Sequence, residues 1–237
     1  MEVAITSPVT DLPTDSLPQR VAVTALLLPV VLMATLAVLS RPDGGSAPIA
    51  LSDGGLLGGL VIELVLALPL GYWLWRSGWR PHRSVTRPFE SRDLARGMGL
   101  WVGAIAVVVY WALVCRIAFP TLFVVATQTQ ITGAPHFWVA LPFSVFNAVF
   151  EEFLWLGLGL TAFRRLGVGW ASAISIGLRL LVHAYQGPLA LVTVLPVGFV
   201  FTLYYVRTLR LWPIVLAHAF QDTLALGLIA RMPLPAA

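Results

Sequence analysis

The stretch "FNAVFEEFLWLGLGL", residues 146–160, places two adjacent acids, Glu151 and Glu152, inside a run that is otherwise almost entirely apolar. The whole chain shares this character, since 58% of its 237 residues are hydrophobic and only 11% are charged. Soluble globular domains typically contain about 25% charged residues. The composition therefore predicts an integral membrane protein, in which two acids at membrane depth are expected to have a functional role.

Seven apolar segments, one of them around this stretch, are each close to the length of about 20 residues that a membrane-spanning helix needs. They predict an all-α fold, a polytopic membrane helix bundle with about seven transmembrane helices at residues 21–40, 56–75, 97–118, 137–160, 167–186, 188–206 and 211–230. Turn signals rich in Gly, Pro and Arg separate the segments. Pro196 falls inside the sixth segment and predicts a kink there.

The distribution of arginine predicts the orientation of these helices, because the cytoplasmic loops of membrane proteins are enriched in basic residues. All fifteen basic residues are arginine. With a cytoplasmic N-terminus, eleven of them fall in cytoplasmic segments, and two, Arg41 and Arg231, fall outside. Six of the eleven belong to a basic loop at residues 76–96. An alternative for that loop is a membrane-surface helix that binds anionic lipid.

The composition also bears on partners and location. The loop arginines account for the net charge of +4, so we expect membrane lipids and no nucleic acid as partners. The single cysteine, Cys115, excludes a disulfide framework. A chain that lacks lysine and is rich in Arg and Ala is typical of a GC-rich bacterial genome. We therefore expect a multi-pass protein of the bacterial inner (cell) membrane.

Seven ionisable side chains lie inside the predicted spans, where a charged group costs about 2.5–3.5 kcal/mol on an insertion scale. They are Glu63, Glu151, Glu152, Arg179, His183, His218 and Asp222. Residues four apart share a helix face, which groups Arg179 with His183 and His218 with Asp222. Such residues usually face the protein interior and pair with one another, so they predict one shared polar site. Glu63 is expected to be a structural partner.

Carboxylates and imidazoles in one cavity of low polarity suit the activation of water. A carboxylate that shares a proton with a neighbouring histidine can direct a water molecule at a carbonyl carbon. A second histidine can then stabilise the oxyanion that forms. The same side chains are ordinary ligands of zinc, which would itself activate the water. Both routes end in hydrolysis of an amide bond at membrane depth, and the residues alone favour neither.

Three motifs follow one another on three predicted spans: "EEFLWLG" at 151–157, "RLLVH" at 179–183 and "HAFQD" at 218–222. In this order they resemble the CPBP family, which includes CAAX prenyl proteases of the Ras-converting type (the ABI domain) and their bacteriocin-processing and immunity relatives. The family pattern is Glu-Glu-x-x-x-Arg, then Phe-x-x-x-His, then His-x-x-x-Asn or Asp. The resemblance implies an intramembrane endopeptidase that hydrolyses a peptide bond of a membrane-associated protein or peptide.

The resemblance also implies a role for each matching residue. Glu151 with His183 would activate the water, and Glu152 would support them. His218 with Asp222 would form the pair that stabilises the oxyanion. A metal, if one is used, would be zinc held by Glu151, His183 and His218, and no other cofactor is implied.

The region of resemblance divides the chain into four parts. They are a polar N-terminal tail (1–20), three transmembrane helices with the basic loop (21–136), a CAAX-protease-like catalytic domain (137–230) and a C-terminal tail (231–237). The first three helices match the family only as generic membrane spans. We therefore expect the chemistry to come from residues 137–230.

Two positions depart from the family pattern. Leu156 stands where the family has an arginine, four residues after Glu152, and Arg179 stands where it has a phenylalanine, four residues before His183. An arginine at the first position would pair with Glu152 along the helix, and its loss would leave a buried carboxylate unpaired. We hypothesise that Arg179 supplies the missing charge from the neighbouring helix. Contact of Arg179 with a backbone carbonyl or with the membrane interface is the alternative.

Two other functions are compatible with the same residues. The first is a non-catalytic bacteriocin-immunity or scaffold protein, which is found among the relatives and would tolerate the departure at Leu156. The second is a proton-coupled transporter, in which carboxylate and histidine pairs relay protons. The sequence lacks the paired interrupted helices of an inverted repeat, which disfavours the transporter.

Overall fold

The computed structural model of the protein describes residues 17–39, 49–79, 86–129 and 131–227. Five predicted parts lie wholly or partly outside these residues: most of the N-terminal tail, the last residue of the first span, residues 80–85 of the basic loop, the last three residues of the seventh span, and the C-terminal tail. Within the described residues the fold is all-α, apart from one pair of two-residue strands.

Eight helices follow one another along the described chain. They are α1 (Gln19–Leu39), α2 (Asp53–Arg76), α3 (Arg92–Ala118), α4 (Pro120–Thr127), α5 (Phe137–Leu166), α6 (Val168–Val182), α7 (Pro188–Thr208) and α8 (Trp212–Gly227). Each of the seven predicted segments coincides with one of them, and only the short α4 has no predicted counterpart. Five helices (α1, α2, α3, α5 and α7) are long and apolar enough to cross a membrane.

Helix α6 has 15 residues and is shorter than the span predicted for it, whereas the 16 residues of α8 reach Gly227, where the described chain ends. Helix α6 ends at Val182, and after a short 3-10 turn (Ala184–Gln186) the chain reverses at Gly187, whose positive φ of 57° is one that glycine adopts readily, and enters α7 at Pro188. Fifteen residues of helix are about 22 Å long, less than the hydrocarbon thickness of about 30 Å. A membrane crossing at this point would therefore have to include the turn after α6, which begins with His183.

Helix α7 is interrupted at Thr193, which separates Pro188–Val192 from Val194–Thr208. The cause is Pro196, which has no N–H to bond to the carbonyl of Val192, and whose ring crowds that carbonyl. The kink that the sequence predicts therefore takes the form of a break about one turn before the proline.

The core of the bundle lies around the second half of α5. Helix α8 packs against α5 and α3, α2 packs against α5, and α1 packs against α6 and the second half of α5. The buried apolar side chains of this part of α5 include Leu154, Trp155, Leu156, Leu158 and Leu160. Large apolar side chains on α1 and α2 instead point outward, and Leu28 and Leu68 are each 68% exposed. Such faces are expected where acyl chains cover the protein.

A buried cluster of charges fastens the turn before α8 to the start of α3. Arg210 donates through Nε and Nη2 to the two carboxylate oxygens of Asp93, at 2.9 Å each, and Asp93 is fully buried. Arg210 also donates to Glu90 at 2.8 Å, and Arg96 donates to both acids. Hydrogen bonds from Arg96 and Arg210 lower the pKa of the Glu90 carboxyl. These bonds therefore fix the position of the turn that leads into α8.

The opposite end of the bundle is joined through backbone and side-chain contacts. Strand β1 (Ile49–Ala50) pairs in parallel with strand β2 (Ile131–Thr132). Asp53, at the start of α2, accepts a hydrogen bond from the backbone N–H of His136 at 2.7 Å and contacts the imidazole Nδ1 at 2.6 Å. Because His136 immediately precedes α5, these contacts hold the first turns of α2 and α5 side by side.

Candidate active site

Helix α5 changes from α-helical to π-helical geometry directly after the two acids, over Phe153–Gly159. Such π-helical turns are rare and occur frequently at functional sites. The hydroxyl of Ser175 on α6 donates to the carbonyl of Trp155 at 2.6 Å. A Cβ at Gly159 would lie 3.0 Å from the Ser175 oxygen. The missing side chain at Gly159 thus lets α6 approach α5 closely at this level.

Glu152 joins three helices through one fully buried carboxylate. Its Oε2 accepts a hydrogen bond from Nη2 of Arg179 on α6 at 2.5 Å. Its Oε1 lies 2.6 Å from Nδ1 of His218 on α8. Leu156, where the family has arginine, is instead buried in the apolar core. The structure therefore contains the Glu152–Arg179 contact that the sequence hypothesis requires.

His218 connects Glu152 to a second carboxylate. Its Nε2 lies 3.3 Å from Oδ2 of Asp222, one turn further along α8. Each ring nitrogen of His218 thus faces a carboxylate, an arrangement that is fully satisfied when both nitrogens carry protons. The two α8 residues singled out by the sequence are therefore in contact with each other and, through Glu152, with α5.

Asn147 of α5 is a member of the site that the sequence analysis did not single out. Its Nδ2 donates to Oδ2 of Asp222 at 3.0 Å, and its side chain is mostly buried. Asn147 lies one helical turn before Glu151, within the stretch quoted at the outset. That four-residue spacing places the two side chains on one helix face, and it is the sequence signal that could have identified Asn147 as a site residue.

Glu151 and His183 face each other across a gap. Nε2 of His183 lies 3.9 Å from Oε1 of Glu151, too far for a direct hydrogen bond. Nδ1 of His183 lies 2.8 Å from the carbonyl of Arg179 and must carry the proton, because a carbonyl only accepts. The other oxygen of Glu151 accepts from Nε1 of Trp155 at 3.2 Å. A gap of this width suits one water molecule that contacts both groups.

A cavity of about 670 Å³ connects these side chains. This volume falls within the roughly 300–1,000 Å³ that is typical of ligand sites. Glu151, His183, His218 and Asp222 line the cavity among mainly apolar neighbours, whereas Glu152 and its partner arginine lie behind the lining. The cavity extends to the end of the bundle that carries the two strands, where residues 49, 51 and 131 line it.

Glu63 of α2 also lines the cavity, on the side opposite the family motifs. The sequence analysis expects Glu63 to be a structural partner of other groups, but its buried Oε2 has no hydrogen-bond partner among the described residues. Its carboxyl therefore faces the cavity instead of another helix.

The side chains as placed do not fit the zinc alternative. That alternative needs Glu151, His183 and His218 to converge on one ion, but both ring nitrogens of His218 face carboxylates. Among the residues that the structure describes, no three His, Cys, Asp or Glu side chains are grouped so as to hold a metal ion. The chemistry of the site is therefore considered through its own side chains.

Comparison with known proteins gives one match. Residues 133–224 match the family model described as "Type II CAAX prenyl endopeptidase Rce1-like". The matched region begins just before α5, includes all three motifs and covers less than half of the chain. No curated protein and no solved structure matches the chain.

Proposed function

We propose that the protein is an intramembrane endopeptidase that hydrolyses a peptide bond of a membrane-associated protein or peptide, because residues 133–224 match the Rce1-like model of type II CAAX prenyl endopeptidases. The observation that carries this proposal is the gap of 3.9 Å between Glu151 and His183 at the wall of a buried cavity. The cavity is large enough for a short stretch of peptide.

Attack of water on the substrate is the first step of the proposed mechanism. A water molecule between Glu151 Oε1 and His183 Nε2 is polarised by both acceptors. Glu151 takes one proton, while the water oxygen forms a bond to the scissile carbonyl carbon and the carbonyl electrons move to its oxygen. His183 is held in position by the hydrogen bond of its Nδ1 to the Arg179 carbonyl.

The oxyanion that forms is stabilised by His218. The contact of its Nε2 with Asp222 is long, at 3.3 Å, so the N–H can turn to a substrate oxygen. Asn147 holds Asp222 in place, and Glu152 holds Nδ1 of His218. Glu151 then returns its proton to the amine nitrogen as the carbon–nitrogen bond breaks, which leaves a carboxylic acid and a free amine.

Cleavage by the purified protein tests this function directly. Full-length protein in lipid nanodiscs would be incubated with a library of internally quenched peptides and with a farnesylated CAAX peptide. We expect at least one peptide to be cut, with mass spectra showing two fragments and one ¹⁸O atom in the new carboxyl group when H₂¹⁸O is the solvent. Absence of cleavage together with proton flux in liposomes would instead favour the proton-coupled transporter.

The finer topology is also part of the proposal. We propose seven membrane crossings with the N-terminus in the cytoplasm, including α6 and α8, in the inner membrane of a bacterium. The arginine distribution supports this orientation. The two strands and the adjoining part of the cavity would then face the side of the membrane away from the cytoplasm.

Single cysteines can test this topology, because the native Cys115 is buried and can be replaced by alanine. Thr132 and Arg207 are both exposed, at opposite ends of the bundle. We expect a membrane-impermeant maleimide to label Thr132→Cys in intact spheroplasts, and Arg207→Cys only after permeabilisation. The reverse pattern would show that the proposed orientation is wrong.

A further inference from the structure

Glu63 occupies the middle of the face that α2 turns towards the protein. The buried residues of α2 are Leu56, Glu63 and Leu74, whose separations of 7 and 11 residues place them on one helix face. Glu63 is only 7% exposed. A leucine at this position would fill the same space without the desolvation cost of a carboxyl group. The acid therefore calls for an explanation other than packing.

The other carboxyls in or directly behind the cavity wall each lie within 4 Å of a histidine or arginine nitrogen. The pairs are Glu151 with His183, Glu152 with Arg179 and His218, and Asp222 with His218. Glu63 forms no ion pair with any residue that the structure describes. Its Oε2 is one of three buried side-chain atoms in the described chain that lack a hydrogen bond, and the only carboxyl oxygen among them.

The residues that line the cavity indicate what kind of group could pair with the Glu63 carboxyl. Three acids and two histidines line the cavity, and no arginine or lysine is among the described lining residues. A carboxylate in surroundings of low polarity is stabilised most by a cationic donor, because charge-assisted hydrogen bonds are roughly twice as strong as neutral ones. The missing partner is therefore best supplied by a positively charged group of the ligand.

We propose that Glu63 determines substrate specificity by binding a lysine or arginine side chain of the peptide, while Glu151 and His183 act on a nearby peptide bond. This inference rests on the proposed endopeptidase function. Helix α2 lies outside residues 133–224, so selection of the substrate comes from the N-terminal helices and the chemistry comes from the matched region.

A matched set of peptides tests this assignment in full-length protein in nanodiscs. Starting from the peptide that is cut fastest, each position in turn carries lysine or its uncharged analogue norleucine. We expect one position at which lysine raises kcat/KM about tenfold over norleucine in the wild type. Glu63→Gln should reduce this ratio to about one, and Glu63→Asp, which keeps the carboxyl, should retain a preference for lysine. Glu90→Gln, the same change at the opposite end of the bundle, should leave the ratio unchanged.

Binding measurements separate this role of Glu63 from catalysis. Fluorescence anisotropy of dye-labelled lysine and norleucine peptides reports affinity in the Glu151→Gln background, in which turnover is expected to be about 1,000-fold slower. We expect about tenfold tighter binding of the lysine peptide to Glu151→Gln and equal binding of both peptides to the double variant Glu63→Gln/Glu151→Gln. Thermal unfolding of each variant confirms that it is folded.

The outcomes distinguish the two proposals. A lysine preference that survives Glu63→Gln, or cleavage by the wild type with no lysine preference at any position, overturns the role of Glu63 and leaves the endopeptidase function in place. Preferential binding of the lysine peptide that depends on Glu63, without cleavage of any peptide, supports the role of Glu63 and overturns the endopeptidase function.

Discussion

Replacing Glu151 by glutamine is expected to lower the rate of peptide cleavage by about 1,000-fold. Glutamine has nearly the same shape and can still accept the hydrogen bond from Trp155, which is 3.2 Å from Glu151 in the structure. It cannot take a proton from water, however. The change therefore removes the proposed base and leaves the packing around it largely unaltered.

The measurement is kcat/KM for the best peptide of the quenched library, compared with Glu90→Gln as a glutamate-to-glutamine control far from the cavity. Because the side chains do not fit a three-ligand metal site, activity should also survive 1,10-phenanthroline. Full activity of Glu151→Gln would refute the proposed base. An immunity or scaffold phenotype that persists in Glu151→Gln would favour the non-catalytic alternative.

Removal of the Arg179 side chain is expected to cost about 3–5 kcal/mol of unfolding free energy, together with most of the activity. Arg179→Ala leaves Glu152 fully buried with His218 as its remaining partner. An uncompensated charge at this place disturbs His218, on which the proposed oxyanion stabilisation depends. Chemical denaturation in mixed micelles measures the stability, and Arg207→Ala, at an exposed position on α7, is the matched control.

A compensating variant tests whether Arg179 replaces the arginine of the family pattern. Leu156→Arg combined with Arg179→Phe restores that pattern, with an arginine four residues after Glu152 on the same helix. We expect this double variant to regain stability and activity relative to Arg179→Phe alone, since the new arginine pairs with Glu152 along α5. If Arg179→Ala were as stable and as active as the wild type, the relocated ion pair would have no role.

The order of the helices and the convergence of the motif residues follow from patterns that the sequence contains. Runs of about 20 apolar residues mark the spans, and four-residue spacing places His218 and Asp222 on one face of α8. The cost of unpaired charge in a membrane indicated that Glu152 and Arg179 would need partners. These arguments are local or energetic, and they do not require knowledge of how helices pack.

Other features depend on how the helices pack and could not be predicted from the sequence. The rotation of α2 about its axis decides whether Glu63 meets another helix or a cavity, and that rotation is set by contacts distant in sequence. The π-helical segment after Glu152 lies where Ser175 of α6 approaches Gly159 and bonds to the carbonyl of Trp155, a contact between two helices. The length of α6 was overestimated, because hydropathy continues past Val182 although the helix ends there.

Because α2 buries only a narrow face, its position should depend on the lipid or detergent that surrounds the protein. Only Leu56, Glu63 and Leu74 of this 24-residue helix are buried, so most of its surface would face acyl chains in the proposed membrane placement. The surrounding lipid would then help to hold α2, and with it one wall of the cavity, in place. Bilayer thickness and fluidity should therefore change the width of the cavity. Short-chain detergents should loosen the packing of α2 before the rest of the bundle unfolds.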